Sequence, residues 1–142
     1  SPKLTEIMAG AMMNLGVERG FVVSGHDNMD EFTLTGSSTV SEIKDGKVTT
    51  YEVTPEQFGL SCSKLEDLQG GDGAVNAQIT KNILSGKEQG PKRDIILLNA
   101  GAALYIGGKA DSIKDGIALA AQTIDSGKGL EVIENLVKLT NA

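Results

Sequence analysis

The 142-residue sequence holds one cysteine and one histidine, gathers no basic patch, and contains no apolar run long enough to cross a bilayer. Each shortage removes a class of function. A lone Cys62 leaves no partner for an internal disulfide. A lone His26 argues against zinc, whose sites draw on several His and Cys ligands. Thirteen Lys and Arg are scattered among nineteen Asp and Glu, for a net charge of −6. That balance argues against a nucleic-acid partner. It also repels anionic substrates at long range, so a phosphate ligand needs a bound cation or local donors. No basic-plus-apolar leader opens the sequence, which makes the cytoplasm the expected compartment.

What is present describes a globular α/β chain. The composition is 39% hydrophobic and 23% charged, neither disordered nor membranous, and the length suits one domain with a core of its own. Leu4, Ile7, Met8, Ala11, Met12 and Leu15 recur at helical spacing after Ser1 and Pro2, which suit N-cap and N1, and Gly16 suits the stop. "GFVVSG" then reads as a short strand buried on both faces, and helix followed by buried strand is half of a βαβ unit. "TVSEIKDGKVTTYEVT" reads as a hairpin, because Asp45-Gly46 suits a type I′ turn with positive φ at both positions. A two-residue loop sets Ile43 opposite Val48 and Val40 opposite Tyr51.

From Pro55 onward the pattern is helical. Asp72 is placed to cap a helix through Leu84, closed by Gly86. Pro91 opens "RDIILLNAGAALYIGG", apolar on every side and therefore expected to be wrapped by protein. Ile113, Ile117, Ala120, Ala121 and Ile124 form one further stripe, and Leu130, Ile133, Leu136 and Val137 another. A doubly buried strand needs more paired neighbours than one local hairpin supplies. The expectation is that residues 1–142 are the second part of a larger α/β domain, with exposed apolar edges around Phe21 to Val23.

Several residues invite a chemical reading. Asp30 and Glu31 are adjacent carboxylates just past the end of the first strand, where sheet ligands gather. They can share Mg²⁺ with substrate phosphates, or form a solvated bend. Joint ligation requires the backbone to bend, because neighbours on an extended strand point to opposite faces. His26 lacks a Ser or Cys at a suggestive spacing and reads as a polar turn residue. "GGDG" at 70–73 could cradle an anion, but it lacks the P-loop ending and follows no strand, so a lead-in capped by Asp72 is the simpler reading. Lys92 and Arg93 oppose the dipole of the helix they open, which leaves them to pair with acids or with phosphate. Cys62 has no nearby His and reads as inert. Asn99 reads as a hydrogen-bonded core amide.

Three segments in order, "LGVERGFVVSGHDNMDEFTLTG", "VTPEQFGL" and "GPKRDIILLNAGAALYIGGKADSIKDGIALAAQTIDSG", resemble the C-terminal portion of the anthranilate phosphoribosyltransferases. The likeness covers essentially the whole chain. It implies the C-terminal part of a nucleoside phosphorylase/phosphoribosyltransferase catalytic domain, helix-rich around a small sheet with a β-hairpin. It further implies transfer of the phosphoribosyl group of phosphoribosyl pyrophosphate (PRPP) to anthranilate in tryptophan biosynthesis, with Mg²⁺ as cofactor and a homodimer for the complete protein. The family's magnesium-binding Asp-Glu pair falls on Asp30 and Glu31. Its glycine-rich pyrophosphate loop, Lys-His-Gly segment and anthranilate-contacting arginine precede the matched stretch and have no counterpart in these residues. The resemblance therefore implies no catalytic residue here beyond the metal pair, and a chain that is inactive by itself. Asn28 stands where relatives often carry Gly, a mild change because Asn tolerates the left-handed region. The alternatives are another phosphoribosyltransferase or a pyrimidine nucleoside phosphorylase of the same fold, or a non-catalytic module that binds Mg²⁺ and phosphate.

Overall fold

The computed structural model of the chain describes residues 1–141. Helix α1 (Pro2–Asn14) leads into strand β1 (Gly20–Gly25). Strands β2 (Ser38–Lys44) and β3 (Lys47–Val53) follow. A 3-10 turn at Pro55–Phe58 and the one-turn helix α2 (Leu65–Leu68) then lead to α3 (Gly73–Leu84), α4 (Pro91–Ile106), α5 (Ile113–Asp125) and α6 (Lys128–Thr140).

The hairpin adopts the expected register. Asp45 and Gly46 take φ of 52° and 72°, and Val40 faces Tyr51 while Ile43 faces Val48. The expectation for β1 is corrected. β1 pairs antiparallel with β2, and the sheet order is β1-β2-β3. The connection of residues 26–37 contains no helix, so the chain turns back beside β1 instead of crossing over as a βαβ unit requires. The strand buried on both faces is β2, because it is central. Phe21, Val22 and Val23 on the outer strand are half-buried.

Alternation along β2 separates two layers. Ser41 and Ile43 are fully buried on the face that meets α1, where the Ser41 hydroxyl donates to Thr5 Oγ1 over 2.9 Å. Val40 and Glu42 point toward α4. The helical spacing of residues 4–15 is realised as α1, but its apolar stripe does not meet the sheet: Ile7 is 68% and Leu15 86% exposed, while small Thr5 and Ala9 are buried. On the other face, Phe32, Leu34, Val40 and Val53 pack with Ile95, Leu98 and Ala102 of α4 and with Ile113, Ile117, Ala120 and Ile124 of α5 in one core. Covered on most sides, α4 still leaves Ile96 exposed, and Leu136 and Val137 of the α6 stripe are exposed as well.

Two features fix α4 over the sheet. At its C-terminal end the Tyr105 hydroxyl donates to Glu42 Oε1 over 2.9 Å, and Tyr51 donates to the other oxygen over 3.0 Å. Burial first, then the hydrogen bond to Glu42, pushes the Tyr51 hydroxyl far above the usual phenol range. Phe21 stacks on Tyr105, and the Arg19 guanidinium lies over that ring, 4.8 Å from its centroid. Against α5 the contact is backbone on backbone. A Cβ built on Gly101 would lie 2.6 Å from the amide nitrogen of Ile117, and one on Gly116 would collide with the Gly101 carbonyl.

Candidate metal-binding loop

Residues 26–37 form a closed loop at the C-terminal end of β1. The Gly25 amide donates to the Met29 carbonyl over 2.9 Å, the Asn28 amide to the Gly25 carbonyl over 3.1 Å, and the His26 amide to the Ser37 carbonyl over 3.0 Å. Asn28 occupies the left-handed region at φ 71°, which its short polar side chain tolerates. The same geometry leaves no room on Gly25, where a Cβ would lie 2.5 Å from Asp27 Oδ1 and 3.2 Å from Thr33.

Asp27 holds the loop from inside. Its Oδ2 accepts the Thr33 hydroxyl over 2.5 Å and the Thr35 hydroxyl over 2.6 Å, and Oδ1 accepts the Met29 amide over 3.1 Å. Burial alone would raise this carboxyl, but the hydrogen bonds from Thr33, Thr35 and Met29 outweigh it and hold Asp27 below its ordinary range. From outside, Asn99 of α4 closes on Phe32. Its Oδ1 accepts the Phe32 amide over 3.0 Å, and its Nδ2 donates to the Phe32 carbonyl over 3.1 Å and to the Ile95 carbonyl over 3.0 Å. Asn99 is hydrogen-bonded as its apolar surroundings imply, but half-buried at the edge of the core. The Phe32 ring is buried and meets Phe21 edge-on at 5.9 Å.

Between these two attachments stand Asp30, exposed, and Glu31, half-buried, with the backbone bent at both residues. Among the described residues neither takes part in an ion pair. Burial first, then the charges of Asp30 and Asp27, pushes the Glu31 carboxyl above its ordinary range. This is local negative charge without a protein cation, carried on hard oxygen donors. The donor set suits Mg²⁺, which takes one or two carboxylates and completes its shell with water and phosphate oxygens. Among the described residues no three His, Cys, Asp or Glu gather into a metal cluster, so the pair does not enclose an ion unaided.

The other candidates are occupied elsewhere. His26 Nε2 lies 3.1 Å from Glu52 Oε1 and 3.3 Å from Thr39 Oγ1, directed at the hairpin as a turn residue. In the glycine-rich lead-in, Asp72 caps α3 by accepting the Val75 amide over 2.9 Å, and the Gly71 amide donates to Asn76 Oδ1 over 2.9 Å. Lys92 donates to the Asp67 carbonyl over 2.6 Å, and buried Arg93 to Asp125 over 2.8 Å. The exposed Cys62 thiol donates to Glu56 Oε1 over 2.8 Å; that hydrogen bond first, then slight burial and the Glu56 charge, pushes it above the ordinary thiol range. Sequence reasoning missed Asp27, Thr33 and Thr35. An Asp two residues before an amide it can accept is the one local signal that could have found the first of them.

Comparison with known proteins agrees with this architecture. The chain is 50% identical over 142 residues to anthranilate phosphoribosyltransferase from Desulfosudis oleivorans, covering all of this chain and 42% of that protein. It superposes on anthranilate phosphoribosyltransferase from Thermus thermophilus with a TM-score of 0.90 and 39% identity, covering all of this chain and 41% of the other. The Saccharomyces cerevisiae enzyme in complex with PRPP and Mg matches with a TM-score of 0.83 and 29% identity, over 94% of this chain and 39% of that one. The chain thus spans about two fifths of the length of the relatives it matches. The family model described as "Glycosyl transferase family, a/b domain" matches residues 1–130, and with the fold and identities above it follows that the chain belongs to that family.

Proposed function

We propose that this chain is the C-terminal part of the catalytic domain of an anthranilate phosphoribosyltransferase, and that Asp30 and Glu31 hold its Mg²⁺. The observation that carries the reading is the pair itself: two adjacent carboxylates on a bent, doubly anchored loop, with no ion pair among the described residues. Relatives at 50% identity with this name support the assignment, as does the likeness to a yeast enzyme solved with PRPP and Mg.

In the reaction the anthranilate amino nitrogen forms a bond to the anomeric carbon of PRPP, the bond from that carbon to the pyrophosphate oxygen breaks, and the nitrogen loses a proton. Bound at the pair, Mg²⁺ would offset the negative charge that builds on departing pyrophosphate. The carboxylates of Asp30 and Glu31 supply the oxygens that hold it, and the loop fixes where they stand. An aromatic amine is nucleophilic when neutral, so placement of the two substrates counts for more than a strong base. The reading extends to a complete protein that works as a cytoplasmic homodimer on PRPP and anthranilate. No helix among the described residues is long and apolar enough to cross a membrane.

The test uses a protein of the relatives' full length that carries these residues, supplied with PRPP, Mg²⁺ and anthranilate. Consumption of anthranilate is followed by its fluorescence. Asp30→Asn is expected to lower turnover by about 100-fold or more, with little change in thermal midpoint. Unchanged turnover would remove Asp30 from the site, and transfer to a different acceptor would replace anthranilate in the assignment.

A further inference from the structure

We infer that Asn99 is a positioning residue for the Asp30–Glu31 pair, holding the peptide unit that carries Glu31 at a fixed angle to helix α4. The inference rests on the magnesium reading above.

The two bonds hold the two peptide planes that meet at Phe32. The Phe32 amide that Asn99 Oδ1 accepts over 3.0 Å belongs to the rigid unit joining Cα of Glu31 to Cα of Phe32, so gripping that N–H orients Glu31 itself. The return bond from Nδ2 to the Phe32 carbonyl over 3.1 Å makes the grip two-pronged. It prevents rotation about a single hydrogen bond, much as a strand partner would. Asn99 is in turn held by its own helix, through Nδ2 to the Ile95 carbonyl over 3.0 Å, and α4 is fixed to the sheet six residues later by Tyr105 on Glu42.

The choice of residue points the same way. After the first turn of α4, Asn99 and Tyr105 are the only side chains able to hydrogen-bond in a run otherwise made of Ile, Leu, Ala and Gly. Asn is a weak helix former in such a run. Glu31 is also the half-buried member of the pair, whereas Asp30 is exposed. Unrestrained, two like charges on a flexible bend separate; held by a helix, they stay together for a cation to bridge.

Linkage supplies the decisive measurement, because a clamp that favours cation binding must itself be favoured by the bound cation. In the full-length protein with PRPP present, exchange of the Phe32 amide proton is expected to slow several-fold when Mg²⁺ is added. Calorimetric titration of Mg²⁺ in the presence of PRPP is expected to show affinity weakened by about tenfold in Asn99→Ala and Asn99→Asp, the range for partners that orient ligands. Asn99→Asp keeps the acceptor for the Phe32 amide and loses both donations. Its added negative charge would by itself attract the cation, so weaker binding reports lost positioning.

Asp30→Asn is the reference. If it leaves Mg²⁺ affinity unchanged, the magnesium reading fails and takes this inference with it. If Asp30→Asn abolishes binding while both Asn99 variants bind as the unaltered protein does, Asn99 is only a structural amide. Should neither variant fold, the exchange measurement on the unaltered protein decides, and an unchanged rate at Phe32 overturns the assignment.

Discussion

Arg93, near the start of α4, reaches Asp125, the last residue of α5, over 2.8 Å, with its own side chain 6% exposed and that of its partner 56% exposed. The guanidinium thus depends on a carboxylate that is itself wet, and its Nη1 has no partner among the described residues. Asp125→Ala leaves a buried charge unpaired. The expected cost is about 2 kcal/mol, below the usual range for a fully buried pair because solvent screens the acid. Urea unfolding measures it, and a loss under 0.5 kcal/mol would show the pair to be incidental.

Gly116→Ala gives a sharper test of packing. In an exposed helix the change would stabilise by about 0.5–1 kcal/mol. Here the added methyl meets the Gly101 carbonyl, and forcing α4 and α5 apart is expected to cost about 2–3 kcal/mol. Gly10→Ala in α1 is the control, since nothing lies within 4 Å of the added carbon, and it is expected to raise the thermal midpoint.

The raised Glu31 carboxyl carries a definite sign. An acid whose folded pKa exceeds its unfolded value binds more protons in the folded state, so it costs stability as pH rises through the unfolded and then the folded value. Glu31→Gln should therefore stabilise the metal-free protein at neutral pH, by about 1–3 °C in thermal midpoint. The benefit should fade below the unfolded carboxyl value. A uniform effect from pH 4 to pH 8 would contradict this electrostatic origin.

Asp27 has the opposite sign. Its lowered pKa means that its contribution is present above the unfolded value and lost as pH falls through the folded one. Asp27→Ala removes the acceptor for two hydroxyls and an amide. It is expected to cost about 2 kcal/mol at pH 7 and much less near pH 2. Equal losses at both pH values would assign the effect to packing.

Where the sequence dictates backbone geometry locally, it could be read. Asp45-Gly46 demands one turn and hence one register, and Asp72, Pro91 and the glycines after the helices mark boundaries that need no tertiary partner. The face buried by α1 could not be read, because small Thr5 and Ala9 approach the sheet more closely than the apolar stripe. The position of β1 was misread for a similar reason: burial depends on neighbours, and an apolar strand beside a single partner has the same composition as a central one. At the candidate site the two acids were legible as a pair. Their support was not, since Asn99 and Phe32 lie 67 positions apart and no short-range pattern links them.

The contact between Cys62 and Glu56 sets the reactivity of the only thiol in the sequence. With its proton committed to a neighbouring carboxylate, the exposed sulfur forms little thiolate at neutral pH, and thiolate is the species that attacks electrophiles. Alkylation by iodoacetamide should run slower than for an unperturbed cysteine and quicken in Glu56→Gln, so accessibility alone is a poor guide to where a covalent reagent modifies this surface.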